Sequence, residues 1–106
     1  MRYYVAVLRG CLGPFALVRA ARGRFQDAFS TWQRPELCRA VADLFGSVPV
    51  AFIAREDHGF KFDAPNDIIN DVGLILEDFQ SRSITWQDLI LQPPRPTLRQ
   101  GPAIAA

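Results

Sequence analysis

Two amphipathic stripes separated by a β-rich run set the terms on which this chain can fold. Ile68, Ile69, Val72, Ile75, Leu76 and Phe79 recur at i, i+1, i+4, i+7, i+8 and i+11, the trace of one helix face. Leu37, Cys38, Val41, Leu44 and Phe45 repeat the first five of those offsets upstream. That second stripe opens near Pro35, which suits a first helical turn, and stops at Gly46. A helix that is apolar on one side must bury that side against another element. The segment between the stripes supplies one. Residues 48–54 are rich in β-formers, Asp57-His58-Gly59 has turn chemistry, and Phe60-Lys61-Phe62 alternates apolar and polar, so together they predict a hairpin. Asp63 is placed to cap the helix that follows.

Upstream, residues 3–8 alternate around Val5 and Val7 until Gly10, Gly13 and Pro14 break the run, which predicts a first strand. Residues 15–21 suit a second strand, the preferred reading, or a helical turn opened by Pro14. Phe25, Phe29 and Trp32 follow Gly23 at helical spacing and predict a short helix. Residues 84–91 suit an edge strand, although Thr85-Trp86-Gln87-Asp88 also has capping-box spacing. The prolines at 93, 94 and 96 stop any ladder, because each removes a backbone donor. The expected organisation is one α+β domain over residues 1–92 and an extended tail over 93–106. That domain holds a small, mostly antiparallel sheet of four or five strands with both main helices packed on one face. Its core should combine Leu37, Val41, Phe45, Val50, Phe52, Ile69, Val72, Ile75, Leu76 and Phe79. The order of elements resembles the split βαββαβ pattern of ferredoxin-like folds with an elaboration near the N-terminus, a likeness of architecture that implies no activity.

Composition agrees with a packed domain: 49% of residues are hydrophobic and 22% charged, unlike a disordered chain. No apolar run approaches the ~20 residues of a membrane span, and the first nine residues are too strand-like for a signal segment, so a cytoplasmic protein is expected. Cys11 and Cys38 are too few for a disulfide framework and, with a single His elsewhere, do not make a zinc site. They are expected as small buried or half-buried thiols. Eleven Arg against one Lys fits a GC-rich genome and a bacterial or mobile-element origin. Net charge is only +1, but it is unevenly spread. Residues 1–55 hold eight Arg against Asp27, Glu36 and Asp43, a net of +5, and residues 56–106 carry −4.

The candidate site residues follow from that segregation. On the second helix, Asp67, Asp71, Glu77 and Asp78 lie with Asn70 and Leu74 opposite the apolar stripe and could meet a protein partner or a second copy of the chain. Arg19, Arg22 and Arg24 flank Gly23 beside Phe25 and form an alternative, nucleic-acid-binding cluster. His58 stands next to Glu56 and Asp57, the elements of a carboxylate-oriented base. Asp63, Asn66, Asp67, Asn70 and Asp71 offer hard oxygen ligands, but without calcium-loop spacing, and the helix dipole already accounts for acids there. The tail contains a PxxP core. No nucleophile setting or glycine-rich phosphate loop is present in the sequence, and no catalytic residue, metal or cofactor is assigned. The expectation is a small non-enzymatic accessory protein acting through a charged surface. Nucleic-acid binding is the alternative, and a small enzyme centred on His58 the third reading.

Overall fold

The computed structural model describes residues 1–57 and 59–91. His58 and the expected tail over 93–106 lie outside the described residues. Strands β1 (Arg2–Gly10) and β2 (Gly13–Ala20) form a hairpin with Gly10 opposite Gly13, and Gly13 takes φ 121°, a conformation that suits glycine. Helices α1 (Phe25–Ala28) and α2 (Gln33–Phe45) carry the chain to β3 (Val50–Glu56), which turns back through β4 (Gly59–Asp63). Then come α3 (Ile69–Glu77), a 3-10 turn over Phe79–Ser81, and β5 (Gln87–Ile90). The strands form one five-stranded sheet in the order β4-β3-β2-β1-β5. Every pair is antiparallel except β2 with β3, which run parallel with Ala16 opposite Val50 and Arg19 opposite Ile53.

The α+β reading, the mostly antiparallel sheet and the two main helices are as expected, and the strand reading is adopted for 15–21 and, within 84–91, over Gln87–Ile90 alone. The helices, however, do not share a face. Successive strand residues point to opposite sides of a sheet, and β2 and β3 are apolar on both. Ala16, Val18, Phe52 and Ala54 join Tyr3 and Val5 under Leu37 and Val41 of α2. Phe15, Leu17, Ala51 and Ile53 pack instead with Ile68, Val72, Ile75 and Phe79 around α3. A strand buried on both sides needs cover on both sides, so the molecule has three layers with the sheet in the middle. The ferredoxin-like likeness fails for a related reason. There the parallel strands are split by another strand, whereas β2 and β3 are direct neighbours.

The expected core is correspondingly divided. Leu37, Val41 and Phe52 are buried on one side, and Val72, Ile75 and Phe79 on the other. Phe45 and Leu76 are half-buried and Ile69 is exposed, because each helix stripe is wider than its contact with the sheet, and Val50, the first residue of β3, is also half-buried. Both cysteines are exposed rather than buried or half-buried. Cys11 sits in the β1–β2 turn, and Cys38 lies on the solvent side of α2.

Polar contacts pin the helices in place. Asp63 does not cap α3, whose N-cap residue is Ile68 and which has no side-chain cap. Its carboxylate is instead taken by Arg34 of α2. Arg34 also donates through Nε to the Phe29 carbonyl at 3.0 Å and lies over the Phe25 and Phe52 rings at 5.3 and 5.6 Å. The buried Gln33 amide reaches the Asp27 carbonyl at 3.1 Å and accepts from the Ser30 amide at 2.7 Å. Tyr3 Oη donates to the Ala28 carbonyl at 2.6 Å, which ties α1 to β1. Among the described residues no helix is long and apolar enough to cross a membrane.

Because the two cores lie on opposite faces and share no side chain, core substitutions in them should be independent. Leu37→Ala should cost about 2–5 kcal/mol and Ile75→Val about 0.5–1.5 kcal/mol. In urea unfolding, the double variant should match their sum to within about 0.5 kcal/mol. A larger discrepancy would mean that the cores are one.

Candidate anion-binding cleft

Parallel pairing brings the carboxyl ends of β2 and β3 to the same end of the sheet. The last outward-turning residues on the α3 side are Arg19, opposite Ile53 in the ladder, and Arg55, one pleat further along β3 and opposite Phe60. Beyond β2 the chain turns through Ala21, Arg22, Gly23 and Arg24. Gly23 takes φ 89°, a conformation side chains resist. The loop is held where the Phe25 amide donates to Glu56 Oε2 at 2.8 Å, and by the exposed Arg24–Asp57 pair at 3.6 Å. The chain thus delivers arginines to this end from β2, from the loop and from β3.

Two adjoining cavities share Arg19 and Arg55. One, of about 300 Å³, is bounded by those two residues with Arg82 and by Phe60, Phe79 and Trp86. The other, of about 480 Å³, is walled by Arg22, Gly23 and Arg24 and by two carboxylates, Glu56 and Asp57. The aromatic side is a contiguous cluster. Phe60 meets Phe79 edge-on at 4.8 Å between centroids, and Trp86 lies 6.0 Å from Phe79. The Arg19 guanidinium lies over Phe79 at 5.4 Å and Trp86 at 5.9 Å. Arg82 is held by Asp78 at 2.7 Å. Among the described residues no carboxylate forms an ion pair with Arg19, Arg22 or Arg55. A guanidinium on an aromatic plane keeps its edge N–H groups free for an anion, so this end of the sheet can hold a phosphate beside a planar ring.

Arg19, Arg22 and Arg24 are therefore brought together. Arg55, Arg82 and the three rings join them from segments that sequence spacing does not connect; the nearest signal was Arg55 at the end of a β-rich run.

The acidic set is less uniform. Asp67 and Glu77 are exposed, whereas Asp78 is occupied by Arg82. Half-buried Asp71 accepts the Cys11 amide at 3.2 Å, and Gly10 makes this approach possible, since a Cβ there would lie 2.6 Å from Asp71 Oδ2. Among the described residues no three potential metal ligands converge, and Asp63 and Asp71 of the oxygen-rich stretch are engaged by Arg34 and Cys11.

The neighbouring Asp71 carboxylate pushes the Cys11 thiol's pKa up, by favouring the protonated thiol as a hydrogen-bond donor and by opposing the charge of a thiolate. Asp71→Asn should bring the pKa down and raise the thiolate fraction at neutral pH. With Cys38 replaced by Ser, alkylation of Cys11 should therefore be faster in the Asp71→Asn protein and its pH–rate curve displaced to lower pH. Superimposable curves would show that the contact does not form in solution.

No family model matches this sequence, and no curated protein or solved structure is significantly similar to it, so the functional reading rests on the chemistry of the cleft.

Proposed function

We propose that the protein is a nucleic-acid-binding module that engages the phosphate backbone through Arg19, Arg22, Arg24 and Arg55. The observation that carries this reading is the convergence of guanidinium groups from β2, the 21–24 loop and β3 on two joined cavities, one of them lined by aromatic rings. Backbone phosphates supply most of the affinity of such modules, and aromatic side chains beside them supply stacking. The two exposed, unbridged thiols suit a reducing compartment and support action in the cytoplasm. A binding role needs no catalytic group.

A second reading is contact with a protein, or with another copy of the chain, through the acidic side of α3. It is supported by Leu74, 59% exposed on the same helix as Glu77, with Asp67 in the turn that precedes it rather than on the expected helix. An exposed apolar residue within a charged surface suits a partner that buries it.

The two readings separate by charge reversal. Fluorescence anisotropy of a labelled oligonucleotide, titrated at several salt concentrations, should show weakened binding for Arg22→Glu and Arg55→Glu. For Arg55→Ala the salt slope should fall by about 0.7, the value for one lost single-strand phosphate contact. Asp67→Lys with Glu77→Lys should leave oligonucleotide binding intact. If instead the acidic reversal alone changes the sedimentation of the protein with salt, the second reading holds and the first fails.

A further inference from the structure

We propose that the smaller cavity receives one unpaired base, so that the ligand is a single strand rather than a duplex; this rests on the nucleic-acid reading above. The two joined cavities differ in chemistry along the cleft. The larger is walled by Arg22 and Arg24, whose guanidinium groups suit a phosphate, beside Glu56 and Asp57, which are engaged by the Phe25 amide and by Arg24. The smaller is framed by Phe60, Phe79 and Trp86. Its open wall is mostly polar, with the Arg19 guanidinium lying over Phe79 and Trp86, so a base would enter against that guanidinium plane and the half-buried Phe60 and Trp86, while Phe79 is buried. Its volume of about 300 Å³ lies at the low end of small-ligand pockets, a size that suits a single flat heterocycle. Arg19 and Arg55 border both cavities and so stand where base and phosphate of one nucleotide meet. Gln80 adds a neutral amide to the wall of the smaller cavity, able to donate to and accept from a base edge.

A duplex cannot satisfy this arrangement. Its bases are paired and stacked within the helix, and only its phosphates would reach the arginines, leaving the aromatic cavity unfilled. A single strand can turn a base out onto the stack of Arg19 and its rings at little cost, as in sequence-tolerant single-strand binding.

The protein carries two tryptophans, Trp32 and Trp86. Trp32 packs against the core on the α2 side, so Trp32→Phe leaves Trp86 as the fluorescent reporter. That protein is titrated with a mixed-sequence oligonucleotide, with the same sequence as a duplex, and with inorganic polyphosphate. Single-strand binding should quench Trp86 and be at least tenfold tighter than duplex binding. In anisotropy with Trp32 retained, Trp86→Ala should lose that preference while keeping the salt dependence set by the arginines, and Trp86→Phe, which restores a ring, should recover it. Equal affinity for all three probes with unchanged Trp86 emission would overturn base insertion and leave the phosphate-binding reading standing. Failure of all three probes to bind would overturn both.

Discussion

Strands β2 and β3 have no face to give to water. Phe15, Ala16, Leu17 and Val18 are all fully buried, and Ala51, Phe52, Ile53 and Ala54 nearly so. A two-layer arrangement would leave half of that surface wet, at roughly 25 cal/mol for each Å² exposed. Both faces are therefore covered, and the route of the chain follows. The parallel pairing of β2 with β3 requires a crossover, which α1 and α2 provide over one face. The other face is covered when the chain passes from β4 at one edge, through α3, to β5 at the opposite edge. Only where β2 and β3 outrun this cover do arginines replace aliphatic residues, and there the cleft forms.

The existence of both main helices was legible because each stripe is long enough to show a 3.6-residue period and Gly46 punctuates the first. Their placement was not legible, since a helix presents the same apolar stripe whichever side of a sheet it covers. The distinguishing signal lay in the strands. Phe15-Ala16-Leu17-Val18 and Ala51-Phe52-Ile53-Ala54 are unbroken apolar runs rather than alternating ones, and unbroken runs mark burial on two sides. Part of the cleft was legible in the same way: Arg19, Arg22 and Arg24 are close in the chain, whereas Arg55, Phe60, Phe79 and Trp86 reach them only through β2–β3 pairing and the passage of α3. The acidic helix shows the converse. Its four carboxylates look equivalent in the sequence, yet Asp71 is drawn into the β1–β2 turn and Asp78 to Arg82.

Two arginines illustrate how position decides what one chemistry does. Arg34 and Arg19 both lie over a pair of aromatic rings. Arg34 is committed, with its charge met by Asp63 and its Nε donating to the Phe29 carbonyl, and it fastens α2 to β4 at the edge of the sheet. Arg19 faces its rings from a strand end beside a cavity, with its charge unmatched by any carboxylate ion pair among the described residues. The first contact serves stability and the second is available to a ligand, although neither differs in residue type or ring distance by more than a fraction of an ångström.

The pairing of β5 with β1 joins Arg2 to Ile90 and Val5 to Gln87, segments from the two ends of the described fold. β1 can pair locally with β2, its hairpin partner, whereas its other edge is closed only by a segment far along the chain. Until that non-local pairing forms, a folding chain carries an open strand edge, the kind of surface on which incompletely folded chains adhere to one another. The four-residue β5 is thus a seal on the sheet, and it belongs to the class of contact that is slowest to close.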